Sequence, residues 1–251
     1  MKKKYYPNII IGVSIIVVLW LWYVFMTNYE VDKDTTNASS WKLSTNSLIE
    51  DNYVQKYHYL NLRTKNLTEI PDICDLVKGT RYQDDIWSVD LADNKLTEIN
   101  QDLSCLKNLS ELNLSFNKIN KIDNLDKLSF IKKIDLWNNE ITEIENLEKL
   151  ITLNDLHLWY NKITSTKWLE SLKGLTSLKL QHNEISDLTY LKWLTNLTEL
   201  KLEFNKLKED NLKDIAWLKK IKLITVWENP GIKKATIEKL NEFTRKSMSV
   251  Q

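Results

Sequence analysis

Only four glycines, two cysteines and three histidines occur among the 251 residues, and the charges nearly cancel, with 35 lysines and arginines against 34 aspartates and glutamates. Each scarcity closes off a class of function. Four scattered glycines build no phosphate-cradling loop. Two cysteines and three dispersed histidines show no ligand spacing of the usual kind, so no metal is expected. A net charge of +1 gives no surplus with which to hold nucleic acid. That surplus also sits at one end, because Lys2, Lys3 and Lys4 leave 32 basic against 34 acidic residues in the rest of the chain.

What the sequence does have is apolar side chains in two different patterns. The first is one unbroken run. Ile9 to Met26 are eighteen consecutive uncharged residues rich in Ile, Val, Leu and Trp, enough for ~27 Å of helix and hence for a bilayer. Tyr5, Tyr6, Trp20, Trp22, Tyr23 and Tyr29 lie at or toward its ends, where amphipathic rings favour the headgroup level. Three lysines precede it, and Glu30, Asp32 and Asp34 follow. The positive-inside rule then keeps the amino terminus in the cytoplasm and places the rest outside. A cleaved signal peptide would show a shorter apolar region and a small-residue cleavage site, neither of which is evident. The expected order is a basic cytoplasmic tail over 1–6, a transmembrane signal anchor contacting the lipid bilayer over 7–27, and a polar linker over 28–46.

The second pattern is periodic. An asparagine closing a group of leucines recurs at Asn94, Asn117, Asn139, Asn161, Asn183, Asn205 and Asn229, in steps of 23, 22, 22, 22, 22 and 24 residues. A degenerate copy precedes them at Tyr57 to Leu67, with Lys65 in the asparagine slot. This period and pattern define a leucine-rich repeat. The expected fold is an α/β solenoid of about eight coils over 57–232, with a parallel concave sheet and short helical or irregular convex segments. Leu156 and Leu158 should point inward from a strand, Asn161 should turn the chain and bond to backbone groups, and Ile163, Leu169 and Leu172 should fill the convex side.

Asn117-Lys-Ile119-Asn-Lys-Ile122-Asp-Asn-Leu125 and Asn139-Glu-Ile141-Thr-Glu-Ile144-Glu-Asn-Leu147 follow the 22-residue form closely. They resemble the internalin-like repeats of bacterial surface proteins, and equally the repeats of the regulatory subunit of protein phosphatase 1. The first resemblance implies a displayed module that binds a protein ligand. The second implies a cytosol-facing phosphatase regulator. A third possibility from the same scaffold is a self-associating envelope spacer.

Open ends of such a core need covering. Ser47 with Glu50 predicts a capping box opening an amphipathic helix in an amino-terminal cap over 47–56. Ala235 to Phe243 predicts a carboxyl-terminal cap helix within 233–251. The 29-residue step between the first two copies holds Asp75 to Asp85, expected as a convex surface excursion. Two residues added near Lys208 to Asn211 suggest Asp210 as the cap of a fuller helix through Lys219. Cys74 and Cys105 fall on the convex side of neighbouring coils. Either they form a disulfide, as an exported domain permits, or they are two small buried hydrophobes.

Function should lie on the outward strand positions, which stack into columns across the concave face. The column between the strand leucines reads Asn61, Asp90, Asn113, Asp135, His157, Lys179, Lys201 and Thr225. The next reads Arg63, Ala92, Ser115, Trp137, Trp159, Gln181, Glu203 and Trp227. The third reads Thr64, Asp93, Phe116, Asn138, Tyr160, His182, Phe204 and Glu228. Phe116, Trp137, His157, Trp159, Tyr160, His182, Phe204 and Trp227 are the candidate ligand-binding residues, because the repeat itself requires no large ring there and exposed aromatics favour binding hot spots. The competing account is a structural stripe that shields neighbouring coils. Trp193 and Trp217 occupy matching convex places, where they are expected to pack on each other. No nucleophile, base and orienting group can be assembled from the spacing, so an enzyme, a cofactor and a small-molecule substrate are not expected.

Overall fold

The computed structural model describes residues 45–249 of the protein. The basic tail, the expected anchor over 7–27 and nearly all of the linker lie outside the described residues. Among the described residues no helix is long and apolar enough to cross a membrane.

Nine strands form one sheet in sequence order. They are β1 (Tyr53–Val54), β2 (Tyr59–Asn61), β3 (Ser88–Asp90), β4 (Glu111–Asn113), β5 (Lys133–Asp135), β6 (Asp155–His157), β7 (Ser177–Lys179), β8 (Glu199–Lys201) and β9 (Leu223–Thr225). All neighbours from β2 onward are parallel, and only β1 runs antiparallel, against β2. Each parallel strand has three residues because alternation needs only one inward side chain per strand. Leu60, Val89, Leu112, Ile134, Leu156, Leu178, Leu200 and Ile224 form that inward row, all buried. The residues two places on, Leu62 through Val226, form a second buried row. Each fully buried leucine stabilises the array by about 2 kcal/mol, so the core is continuous along the solenoid.

The asparagines hold the turns. Asn161 Nδ2 donates to the carbonyls of Leu158 at 3.0 Å and of Leu136 in the preceding coil at 2.9 Å, while its Oδ1 accepts from the Ile141 amide at 3.0 Å. Asn117, Asn139, Asn183, Asn205 and Asn229 repeat this arrangement. Lys65 can replace asparagine in the first copy because no earlier repeat presents groups to satisfy.

On the convex side a tight turn recurs in each coil, with the amides of Leu106, Leu128, Leu150, Leu172, Leu194 and Leu218 bonded three residues back. In the later coils these turns grow into 3-10 helices at Leu169–Ser171, Thr189–Trp193 and Glu209–Ile215. Asp210 does not cap a helix through Lys219. The Asn211 carboxamide instead accepts the Lys208 amide at 2.7 Å, and the helix ends at Ile215. The reason is a local tie: the Glu209 amide donates to Gly231 at 3.0 Å and the Glu209 carboxylate accepts the Lys233 amide at 3.0 Å. A Cβ on Gly231 would come within 2.7 Å of the Leu207 carbonyl, so the close approach needs glycine.

At the amino-terminal end, helix α1 (Thr45–Asn52) already includes Thr45, so Ser47 lies within the helix rather than at its N-cap. The amphipathic helix expected in the 47–56 cap also stops at Asn52, because Tyr53 and Val54 pair with β2. A short antiparallel strand there covers what would be an open sheet edge. The 75–85 excursion is less superficial than expected. It folds into parts of α2 (Ile73–Val77) and α3 (Tyr82–Asp85), buries Val77, and sets Tyr82 edge-on to Tyr53 at 5.0 Å. Cys74 and Cys105 are joined in a disulfide, with Cα atoms 5.6 Å apart. At the other end α4 (Lys234–Ser249) lies on β9. The Thr244 hydroxyl meets both the amide and the carbonyl of Ile224 at 3.3 Å, which occupies the last strand's edge.

Candidate functional site: the concave aromatic ladder

The strand register carries the three outward columns into line as the spacing predicts. Asn61, Asp90, Asn113, Asp135, His157, Lys179, Lys201 and Thr225 are consecutive register partners. The third column has a property that sequence did not suggest. Every member, from Thr64 to Glu228, has a positive φ between 51° and 56°. No glycine occupies any of these places. Bulky residues rarely adopt this conformation, at a cost on the order of 1 kcal/mol or more each. A hydrogen bond compensates at each coil: the amides of Phe116, Asn138, Tyr160, His182 and Phe204 donate to carbonyls of Trp137, Trp159, Gln181, Glu203 and Trp227 at 2.8–3.1 Å. The left-handed kink swings the third-column side chains back toward the second column, where rings meet rings.

Seven of the eight candidate residues form one ladder. Phe116 meets Trp137 edge-on at 4.2 Å, and Trp137 stacks on Trp159 at 4.0 Å with 8° between planes. Trp159 passes contact to Tyr160 at 5.5 Å. Tyr160, His182 and Phe204 then stack at 3.9 and 4.1 Å, and Phe204 meets Trp227 edge-on at 4.7 Å. Tyr160 and Trp227 are 44% and 41% exposed, and the rings between them are half-buried by one another. Burial depresses the His182 imidazole pKa, so within the stack it is a neutral ring at pH 7.

His157 stands apart from the ladder. It is 8% exposed, with Nδ1 3.0 Å from Asp135 Oδ2 and Nε2 3.0 Å from Asp155 Oδ1 and 2.9 Å from Lys179 Nζ. Burial works against its charge, but the two carboxylates outweigh it and raise its pKa above the ordinary value. Burial likewise opposes the Asp155 charge, yet His157 holds that carboxyl down at about 2. His157 is thereby fixed between the two carboxylates, with Lys179 of the next coil beside its Nε2 edge.

Polar atoms are also buried without partners on this face, among them Trp137 Nε1, Gln181 Oε1, Glu203 Oε2 and Thr225 Oγ1. Glu203 is only 7% exposed, and burial raises its carboxyl pKa, with the Thr225 hydroxyl and Lys201 pulling the other way. Two hollows, of about 220 Å³ beside Leu106, Leu128 and Phe130 and about 160 Å³ beside Tyr59, Asp90 and Asn113, both lie away from the ladder. The expected packing of Trp193 on Trp217 is absent. Among the described residues no ring contact joins them, and they are 52% and 64% exposed. The two residues added in the intervening coil shift Trp217 past the end of its 3-10 helix, while Trp193 closes its own and carries Lys192 over its ring.

A parallel sheet of three-residue strands, with an asparagine bonded across each turn, defines a leucine-rich-repeat solenoid. No protein-family model matches the chain, and no curated protein matches it. Among solved structures, internalin C2 of Listeria monocytogenes is similar at a TM-score of 0.53 and 25% identity, over 67% of this chain and 80% of that one. A leucine-rich-repeat protein of Leptospira interrogans is similar at a TM-score of 0.57 and 26% identity, over 74% of this chain and 53% of that one. The chain thus spans about half the length of the Leptospira protein. It is an internalin-like leucine-rich-repeat protein.

Proposed function

We propose that the solenoid binds a protein ligand through the concave ladder from Phe116 to Trp227, as a module held to the outer face of a cytoplasmic membrane by residues 7–27. Solenoids of this kind use extended concave surfaces for recognition. The observation that carries the reading is the ladder itself. The same two columns hold Arg63, Thr64, Ala92 and Asp93 in the first two coils, so the fold closes without rings there. Aromatic side chains offer large contact area at low entropic cost, which is why they concentrate in hot spots. The Cys74–Cys105 disulfide favours an oxidising compartment over the cytosolic, phosphatase-regulator alternative. The exposed convex rings of Trp193 and Trp217 give the self-associating alternative its one supporting observation.

The test is capture of a partner from envelope extract by the full chain in nonionic detergent. The Trp137→Ala/Trp159→Ala/Phe204→Ala variant is run beside it after circular dichroism has shown equal folding. Loss of the partner in the variant, by ~100-fold in affinity for a cluster of hot-spot rings, is the expected result. Equal capture moves the site off the ladder, and a stable oligomer with no partner supports the spacer.

A further inference from the structure

We propose that the carboxyl-terminal end of the ladder holds a subsite for an arginine side chain of the protein partner. In it the Glu203 carboxylate and the Gln181 amide oxygen accept the guanidinium N–H groups, and the Trp227 ring lies against the guanidinium plane. The proposal rests on the concave-face reading and adds the chemistry of one contact to it.

The starting observation is an interruption in the second column. Trp137 and Trp159 are followed by Gln181 and Glu203 before Trp227 resumes the rings, so two adjacent coils replace an indole with an oxygen acceptor. The backbone bonds from His182 to Glu203 and from Phe204 to Trp227 keep the register past the strands, so these three residues are lateral neighbours. Gln181 Oε1 and Glu203 Oε2 are buried with no hydrogen-bond partner, and the neutral side-chain donor near Glu203, the Thr225 hydroxyl, supplies no counter-charge. A buried acceptor without a donor costs roughly 1–3 kcal/mol, and an ionised carboxylate in that position costs more. Coils that elsewhere satisfy each turn amide with an asparagine leave these two groups unsatisfied, on the face read as the binding surface.

Three properties of the surroundings select a guanidinium. First, neighbouring parallel strands lie ~4.8 Å apart, so acceptors on adjacent coils suit a planar fork with five donors better than the point charge of an ammonium. Second, most ring faces of the ladder are used up on one another, since Trp137 covers Trp159 and His182 is sandwiched between Tyr160 and Phe204. Trp227 ends the ladder on the side of Gln181 and Glu203: it meets Phe204 edge-to-face at 73°, no ring contact follows it among the described residues, and it is 41% exposed, which leaves indole surface for a cation.

Third, the nearby charges favour a cation. Lys201 is already held by Glu199 at 3.3 Å, and Lys179 lies against His157. Glu228 adds a further exposed carboxylate in the third column beside Phe204. Burial raises the Glu203 carboxyl pKa against the pull of Thr225 and Lys201, and a guanidinium placed on it would lower it.

The experiment titrates the full chain in detergent at pH 7.5 with N-acetyl-arginine amide and, separately, with N-acetyl-citrulline amide, its uncharged near-isostere, following tryptophan fluorescence. Saturable binding of the arginine probe is expected in the millimolar range, with the citrulline probe at least ~10-fold weaker. Glu203→Gln should bring arginine binding down to the citrulline level, and Gln181→Leu should weaken it severalfold, each checked for folding by circular dichroism. Equal binding of the two probes, or arginine binding unchanged in Glu203→Gln, overturns the proposal. Partner capture separates it from the wider reading. If the triple ring variant loses the partner but Glu203→Gln keeps it at full affinity, the subsite falls and the concave reading stands. If the triple variant keeps the partner, the concave reading itself falls.

Discussion

The two halves of the concave face share a backbone and differ in almost everything attached to it. From the coil of Asn94 to that of Asn229 the sheet register, the asparagine bonds and the left-handed third column are the same. Yet the first two coils carry Arg63, Thr64, Ala92 and Asp93 where the later ones carry Phe116, Trp137, Trp159, Tyr160 and Phe204. The amino-terminal half therefore serves as an internal control for the other. Rings are not what closes a coil, and their presence in one half calls for a reason outside the fold. The halves are also held differently, one by a disulfide and a helical excursion, the other by ring stacking.

The comparison is most easily broken at the asparagines, where the largest effect is expected. Asn161→Leu leaves the Ile141 amide and the Leu136 and Leu158 carbonyls without their partner in a dry turn, and should cost about 4 kcal/mol. Asn94→Leu removes the corresponding bonds to Lys65, Leu67, Leu62 and Leu91. Asn94 is only half-buried, so water can reach its turn, and about half that loss is expected. Urea titration of both variants measures the pair. Equal losses would show that the exposed and buried turns are energetically alike, and burial of the turn would then not set the cost.

Next in size is the disulfide. It closes a loop between residues 31 apart in sequence, so Cys74→Ser/Cys105→Ser should cost about 3 kcal/mol. In a solenoid each coil touches only its neighbours, so the loss should stay in the first coils. Hydrogen exchange is expected to quicken around β2 and β3 while the amides of the Trp137 to Phe204 coils keep their protection. Uniform loss of protection would mean that the two halves unfold as one unit.

How much of this was legible in the sequence follows from which constraints are periodic. The coil number, the inward leucines and the three outward columns were readable because a 22-residue repeat and a two-residue strand alternation leave one register. The end structures were not. Tyr53 and Val54 sit at helical spacing from Leu48 and Ile49, and only the need to cover β2's edge makes them a strand. Asp210 is a good cap residue, but the helix begins one residue earlier, at Glu209, which is tied to Lys233 from beyond the repeats.

At the candidate site the aromatic residues were legible but the ladder was not. Stacking across columns depends on the positive φ of the third column, which a sequence without glycine there does not announce. His157 was legible as an outward residue. Its burial between Asp135 and Asp155 was not, since that depends on side chains from three coils converging.

The smallest effect expected lies at that histidine, where the two halves of the first column meet. Asp90 and Asp135 precede it and Lys179 and Lys201 follow. Its folded pKa is raised because Asp135 and Asp155 overcome the burial that opposes its charge. The stabilisation it contributes is therefore fully present below the unfolded value of about 6.5 and is lost as pH rises through the higher folded value. His182 runs the other way: burial lowers its pKa, so its contribution is lost as pH falls. Glu203, raised by burial, loses stability as pH rises from about 4.5 upward. A wild-type melting curve mixes all three, and the difference between wild type and His157→Gln isolates one. That difference in Tm should be largest below the unfolded histidine value of about 6.5 and shrink as pH rises through the higher folded value. Asp155, held at about 2, stays ionised throughout this range. A difference that grows toward pH 9 would mean that the neutral imidazole is the form this site prefers, and the junction between acidic and basic coils would then rest on Lys179 alone.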